Sequence, residues 1–520
     1  MRNVKKAIVL ILALVFLATC ISACAAAPVA SYAPQANGNA PMQAPAVGEG
    51  RYMDSYNTEE YDNIDESRFT ATTNKPLSTI SADVDTASYA NIRRMILDGQ
   101  KPEAGAVRIE EMLNYFKYEL PQPRMGEPFS VTTEIAPCPW NSQTKLLMVG
   151  LQAQKLDTEN LPVSNFVFLI DVSGSMDAAN KLDLLRKSFL LFCEQLRPQD
   201  TVSIVTYASM DRVLLEGVSG REKNTIMSAI ENLRAGGSTN GSAGIQTAYQ
   251  LAEQYFKDGG NNCVILATDG DLNVGVTSES ALADLIAQKR QSGVYLSVLG
   301  FGTGNLKDNK LETIADKGNG NYSYIDNIYE ARRALIEDMG GTMFTVAKDV
   351  KLQTEFNPAM VKGYRLIGYE DRVMEDEDFA DDTKDAGEIG AGHRVIVLYE
   401  LADGNSDFSI AGADLKYQKM QETGSGEWMT VSIRYKKPDQ NESKLLQYAV
   451  SGENVSQNPS ANLRFAAAVA EVGMLLRDSQ YKGSATYKTA LELLAGIQGL
   501  TDDPYRDEFR YLVNRLGQMW

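Results

Sequence analysis

Histidine is nearly missing from this chain: His393 is the single one in 520 residues. Nucleophilic hydrolysis by serine needs a base beside the nucleophile, commonly an imidazole, so with this one histidine a conventional triad is not expected. Excess basic charge is missing too. The chain carries 50 Lys and Arg against 68 Asp and Glu, a formal charge of −18, and nothing in it forms a basic stripe, which argues against nucleic acid as a partner. Cysteine is scarce, and two of the five, Cys20 and Cys24, stand close to the N-terminus. The remaining three, Cys138, Cys193 and Cys263, allow at most one internal disulfide. Cys193 sits in a helical pattern and Cys263 enters an apolar strand, so both read as buried small hydrophobes and no bridge is expected.

What is present begins with an address. Arg2, Lys5 and Lys6 precede an apolar run over residues 7–18, the charged and apolar parts of an export signal, and the run is too short to span a bilayer comfortably. Ile21-Ser22-Ala23-Cys24 resembles a bacterial lipobox with Cys24 as the lipidated residue; Leu17-Ala18-Thr19-Cys20 fits it less well because of Thr19. The expectation is a lipoprotein signal over 1–24 and a membrane-tethered, extracytoplasmic protein. Residues 25–75, rich in Ala, Pro, Gly, Asn and Ser, read as a flexible tether.

With 44% hydrophobic content and this length, two or three folded domains are expected. Residues 76–128 carry two helical patterns, one near 90–97 and one over 107–118, and form an N-terminal helical segment. Strand patterns at 129–137 and 145–153 lie in a segment 129–160. From Phe166 to residue 345, apolar strands at 166–170, 201–207, 263–268, 295–301 and 322–325 alternate with amphipathic helices, which predicts a doubly wound, mainly parallel α/β sheet over 161–345. Alternating strands return over 349–455, and 456–520 is helical by pattern. Because strands flank the α/β unit on both sides, it is expected to be inserted in, or flanked by, a β-sandwich.

The chemistry gathers where strands end. Phe166-Val167-Phe168-Leu169-Ile170 runs into Asp171-Val172-Ser173-Gly174-Ser175, and in extended geometry alternate residues share a side, so one carboxylate and two hydroxyls can face one spot. A second apolar strand, 263–268, ends in Asp269, and the Gly-rich loop 236–241 brings Thr239 to a helix start. In open α/β sheets ligands sit outside the carboxyl ends of the strands, so the three segments are expected to meet. An all-oxygen set suits Mg²⁺ or Mn²⁺ rather than zinc.

DVSGSM resembles the DxSxS signature of the von Willebrand factor type A domain, with Thr239 and Asp269 at the positions of the other residues of its metal-ion-dependent adhesion site. The resemblance implies that Asp171, Ser173, Ser175, Thr239 and Asp269 hold the metal, the serines directly and the others directly or through water. It also implies a protein partner that supplies a carboxylate. Beyond this domain, SADVDTASYANIRRMI, VRIEEMLNYF, APCPWN, YRLIGYE and DAGEIGAGH resemble a family of bacterial exported or lipid-anchored proteins of this type, with a dedicated N-terminal segment and a C-terminal domain of unknown function. The expected role is metal-dependent adhesion or assembly, without enzymatic turnover.

Other readings carry less. A metal-dependent hydrolase of the cell envelope is the alternative, since Asp171 and Asp269 with Mg²⁺ could activate water, but no second carboxylate motif is placed for another metal. The string Asp83-x-Asp85-Thr86 superficially resembles a haloacid-dehalogenase nucleophile motif; with no strand leading into it, helix capping is the expectation. Gly236-Gly237 and the glycines at 300, 302 and 304 lack nucleotide-binding spacing and read as turns. The acidic stretch 370–388 lacks EF-hand spacing and reads as a solvated loop. Met176, directly after the last motif serine, is expected to pack beneath the turn, because a hard cation does not choose a thioether.

Overall fold

The computed structural model describes residues 59–82, 85–155, 161–238, 241–270, 279–304, 306–338, 344–410, 424–438 and 440–519. The expectations for Cys24 and Thr239, and Asp83 of the capping string, lie outside the described residues.

In chain order the strands are β1 (Thr70–Ala71), β2 (Leu77–Ser81), β3 (Phe129–Pro137), β4 (Lys145–Ala153), β5 (Ser164–Asp171), β6 (Thr201–Tyr207), β7 (Asp211–Ser219), β8 (Asn261–Thr268), β9 (Tyr295–Phe301) and β10 (Tyr322–Ile325). They continue as β11 (Thr345–Phe356), β12 (Val361–Ile367), β13 (Gly387–Gly390), β14 (Arg394–Asp403), β15 (Met429–Lys436) and β16 (Ser443–Val450). One sheet has the order β10-β9-β8-β5-β6-β7, parallel except for the antiparallel edge strand β7. That edge strand holds only the short apolar run Val213-Leu214-Leu215 among polar residues and is half-exposed, so it carries a weak strand pattern.

The alternation along β5 explains the double winding. Phe166, Phe168 and Ile170 enter one core with Leu185, Phe189 and Phe192 of the helix Leu182–Gln195. Val167 and Leu169 face the opposite core with Ile245, Ala248 and Tyr249 of the helix Gly241–Gln254. A strand buried on both faces has no polar side, which is why β5 and β8 are buried at every position.

The flanking strands build a sandwich. One sheet has the order β1-β12-β14-β4-β3, so strands from before the α/β unit pair with strands from after it: Val149 faces Val397 across the β4–β14 ladder. The second sheet runs β13-β11-β15-β16, with β2 also pairing with β11. Their shared core holds Leu147, Val149, Val397 and Tyr399 against Leu352, Val431 and Ile433. The outer face of the first sheet, through Leu146, Met148, Ile396 and Leu398, packs on Ala-rich helix Ala461–Arg477 and on the helices Tyr487–Leu494 and Pro504–Met519.

Two N-terminal readings change. β1 lies within the stretch that composition assigns to the tether, and Glu59 already pairs with Arg94 and accepts from the Gly304 amide, so the described part of that stretch is built into the fold. Asp85 and Thr86 do not cap the helix Ala87–Leu97. Asp85 accepts from the Tyr322 amide at 2.8 Å and from Arg372, while Thr86 accepts from Arg333 and makes no side-chain cap. The preference for a partner on the α/β unit outweighed local capping.

Candidate metal centre

Asp171 is the last residue of β5, and Thr268 the last of β8, its parallel neighbour. Strand order reverses at this pair, since β6 lies on one side of β5 and β8 on the other. Such a switch point leaves a crevice at the carboxyl ends of the strands. Both aspartates of the expected set stand at its lip, and both are fully buried.

The turn after β5 is shaped by its own polar atoms. The Ser173 amide donates to Asp171 Oδ1 at 2.8 Å, and the Ser173 and Ser175 hydroxyls lie 2.9 Å apart. Thr268 Oγ1 donates to Asp171 Oδ2 at 3.2 Å and accepts from the Gly270 amide, tying the two strand ends together. The Gly-rich loop is stitched to the same turn: the Gly174 amide donates to the Gly237 carbonyl and the Gly236 amide to that of Val172. Met176 is fully buried beneath the turn. Asp171, Ser173, Ser175 and Asp269 are thereby brought to one crevice, and the loop that leads to Thr239 is anchored beside them.

Burial pushes the Asp171 carboxyl up to about 6; the Ser173 amide opposes that shift, and the charge of Asp269 adds to it. Asp269 is met by an internal cation: Lys181 Nζ donates to Asp269 Oδ2 at 2.8 Å. The Lys181 stem crosses Gly302, where a Cβ would stand 2.4 Å from Lys181 Cε, and Gly302 holds φ +80°. The glycines at 302 and 304 therefore serve this crossing and the Glu59 contact. Tyr207, opposite Asp171 in register, has a buried hydroxyl close to Asp171 and Thr268 without an aligned hydrogen bond. Lys181, Tyr207 and Thr268 were missed by sequence reasoning; Thr268 alone had a signal, its place directly before the strand-end aspartate.

The donor set fits a small hard cation. The Ser173 and Ser175 hydroxyls, hydrogen-bonded to each other at 2.9 Å beside two carboxylates, make an all-oxygen donor set, the chemistry that Mg²⁺ or Mn²⁺ takes. Among the described residues, no three His, Cys, Asp or Glu side chains gather around a common point, so a cation here depends on hydroxyls.

Elsewhere the structure answers the remaining sequence readings. The acidic stretch near 376–385 wraps a buried lysine, Lys351, whose ammonium donates to the Asp378 and Asp381 carbonyls. An ammonium thus takes the place that a Ca²⁺ reading would assign to a metal. A polar cavity of ≈ 230 Å³ bordered by Ser81, Asp316, Arg372 and Glu388 is remote in the fold from the ends of β5 and β8, and Arg372 there is already committed to Asp85, Glu312 and Asp316. His393 lies in the turn before β14, in the sandwich, where its carbonyl accepts from the Ala153 amide. Cys138, Cys193 and Cys263 are buried free thiols.

Comparison with known proteins agrees with this architecture. The family model described as von Willebrand factor type A domain matches residues 165–337, that described as von Willebrand factor matches 55–148, and "Uncharacterized protein YfbK, C-terminal" matches 341–519. The Inter-alpha-trypsin inhibitor heavy chain H4 of Homo sapiens is 30% identical over 146 residues, which is 26% of this chain and 16% of that protein. Among solved structures, "von Willebrand factor type A from Catenulispora acidiphila" is 16% identical over 76% of this chain and 91% of that one, with a TM-score of 0.42. "Uncharacterized protein YfbK" of Escherichia coli (strain K12) is 42% identical over 468 residues, covering 88% of this chain and 80% of that protein. The chain therefore belongs to the YfbK family, in which a von Willebrand factor type A domain precedes a C-terminal domain of its own kind.

Proposed function

We propose that this chain is an extracytoplasmic, membrane-anchored adhesion or assembly protein, held by a lipid on Cys24, that binds a protein partner through Mg²⁺ or Mn²⁺ at Asp171, Ser173, Ser175, Thr239 and Asp269. The von Willebrand factor type A match points to protein–protein interaction or adhesion. One observation carries the metal reading: two buried carboxylates and two hydroxyls 2.9 Å apart converge at the switch point of a parallel sheet. When bound, the cation supplies an open coordination position for a carboxylate of the partner. The chain's own residues do the rest. Asp171, held by the Ser173 amide and Thr268, contributes negative charge, and Ser173 and Ser175 contribute oxygens without charge, so anion affinity is left to the cation. No imidazole stands among these residues to act as a base, which supports binding over turnover.

The test is a pull-down from the native envelope in Mg²⁺ and in chelator, repeated with Asp171→Ala after its melting temperature is shown to be unchanged. A partner held in Mg²⁺ and released by chelator and by the variant is expected. Equal capture under all three conditions contradicts the proposal, and phosphoester turnover without a stable partner turns the assignment to a hydrolase.

A further inference from the structure

Lys181 is an unusual neighbour for a divalent-metal site. Its ammonium lies 2.8 Å from Asp269 Oδ2, its side chain is 11% exposed, and its stem is guided across Gly302, where only a hydrogen leaves room. The Gly302 carbonyl accepts from Tyr324 Oη at 2.7 Å, so the loop under the stem is itself fixed. The arrangement is built rather than a chance surface contact, because the lysine is among the buried charged residues and begins the helix Leu182–Gln195.

We propose that Lys181 is the specificity-determining residue of the metal centre: a tethered cation that weakens metal binding and, once the metal is bound, shifts the site toward positive charge, so that an anionic group is favoured over water at the open position. This inference rests on the metal-site reading above. Counting Asp171, Asp269 and Lys181 alone, two carboxylates and one ammonium carry a single negative charge, which a divalent ion turns into a single positive charge. Without the ammonium the same ion would leave the centre neutral. At buried positions a charge a few ångströms away acts through a low effective dielectric, so a change of one unit is felt strongly. The lysine thereby exchanges metal affinity for demand for an anion. Removing it should move the two affinities in opposite directions, which a merely structural role would not do.

The experiment uses the full chain, Mn²⁺ as the metal and glutarate as the carboxylate probe, with water-proton relaxation of bound Mn²⁺ as the readout. Lys181→Met keeps the stem and removes the charge, Lys181→Gln is the second neutral variant if the first unfolds, and Lys181→Arg retains the charge. For the neutral variants the expected result is Mn²⁺ binding about tenfold tighter and half-displacement of Mn²⁺-bound water at about tenfold more glutarate. Lys181→Arg should stay close to wild type in both. Neutral variants that weaken both affinities, or change neither, overturn the role of Lys181 while leaving the metal site standing. Wild-type protein that binds no Mn²⁺ overturns both readings together.

Discussion

Asp171, Lys181 and Gly302 show how single residues at this site depend on one another. Gly302 has φ +80° and no side chain, and both properties are used: the left-handed backbone turns the loop, and the missing Cβ lets Lys181 through to Asp269. Gly302→Ala is expected to cost about 1–3 kcal/mol in urea unfolding, from left-handed strain and from crowding of the Lys181 stem. A second residue of interest lies far from the site. Glu471 is fully buried in the helix Ala461–Arg477, with one oxygen accepting from Thr489 at 2.9 Å and the other without a hydrogen bond. Burial pushes its carboxyl up to about 7 from an ordinary 4.5. The unfolded chain then releases the proton near 4.5 and the folded chain near 7, so this residue's contribution to stability is greatest below the lower value and falls as pH rises through the window between them. Glu471→Gln should accordingly raise the melting temperature at pH 8 and leave it nearly unchanged at pH 4; a variant that melts lower at pH 8 contradicts the assignment.

At the scale of elements, the binding of the N-terminal helix to the α/β unit is ionic to an uncommon degree. Arg93 of the helix Ala87–Leu97 is 2% exposed and reaches Asp326 and Glu330, at the end of β10 and in the helix Ile328–Arg332, and also Glu508 of the C-terminal helix. Arg108 pairs with Asp308 and Glu111, and Arg372 with Asp85 and Asp316. Breaking such a pair leaves a buried charge uncompensated, so Arg93→Ala should destabilise the protein by about 3–5 kcal/mol in chemical denaturation. A loss within experimental error would mean that these carboxylates are neutral or hydrated. The same elements mark what the sequence could reveal. Strands such as 166–170 were legible because burial on both faces leaves an unbroken apolar run, and the convergence of Asp171 and Asp269 was legible because each ends such a run. β2 and β7 were not, since β2 owes its place to pairing with β11 and β7 is a half-exposed edge whose apolar run is only Val213-Leu214-Leu215. Lys181 was not legible because its reach to Asp269 depends on a glycine 121 positions away, a relation no local pattern carries.

For the molecule as a whole, the insertion ties site and platform together. The α/β unit leaves the sandwich after β4 and returns at β11, while the N-terminal segment contributes β2 to one and the Asp85 and Arg93 contacts to the other. Of the three tryptophans, Trp520 lies outside the described residues; Trp140, between β3 and β4, donates to Glu400 of β14, and Trp428 lies in the sandwich core. Their fluorescence therefore reports a unit that holds no residue of the metal site. If the two unfold together, Mg²⁺ should raise the tryptophan-detected midpoint by several degrees; in a protein whose metal binding has been measured by titration, a midpoint indifferent to Mg²⁺ would show that the sandwich unfolds independently. The proposed divalent-metal centre of Asp171, Ser173, Ser175, Thr239 and Asp269 is open to calorimetric titration of the full chain with Mn²⁺, for wild type and Asp171→Ala. One equivalent bound by wild type and none by a variant that melts as wild type does is the expected result; binding of equal tightness in both would rule the centre out.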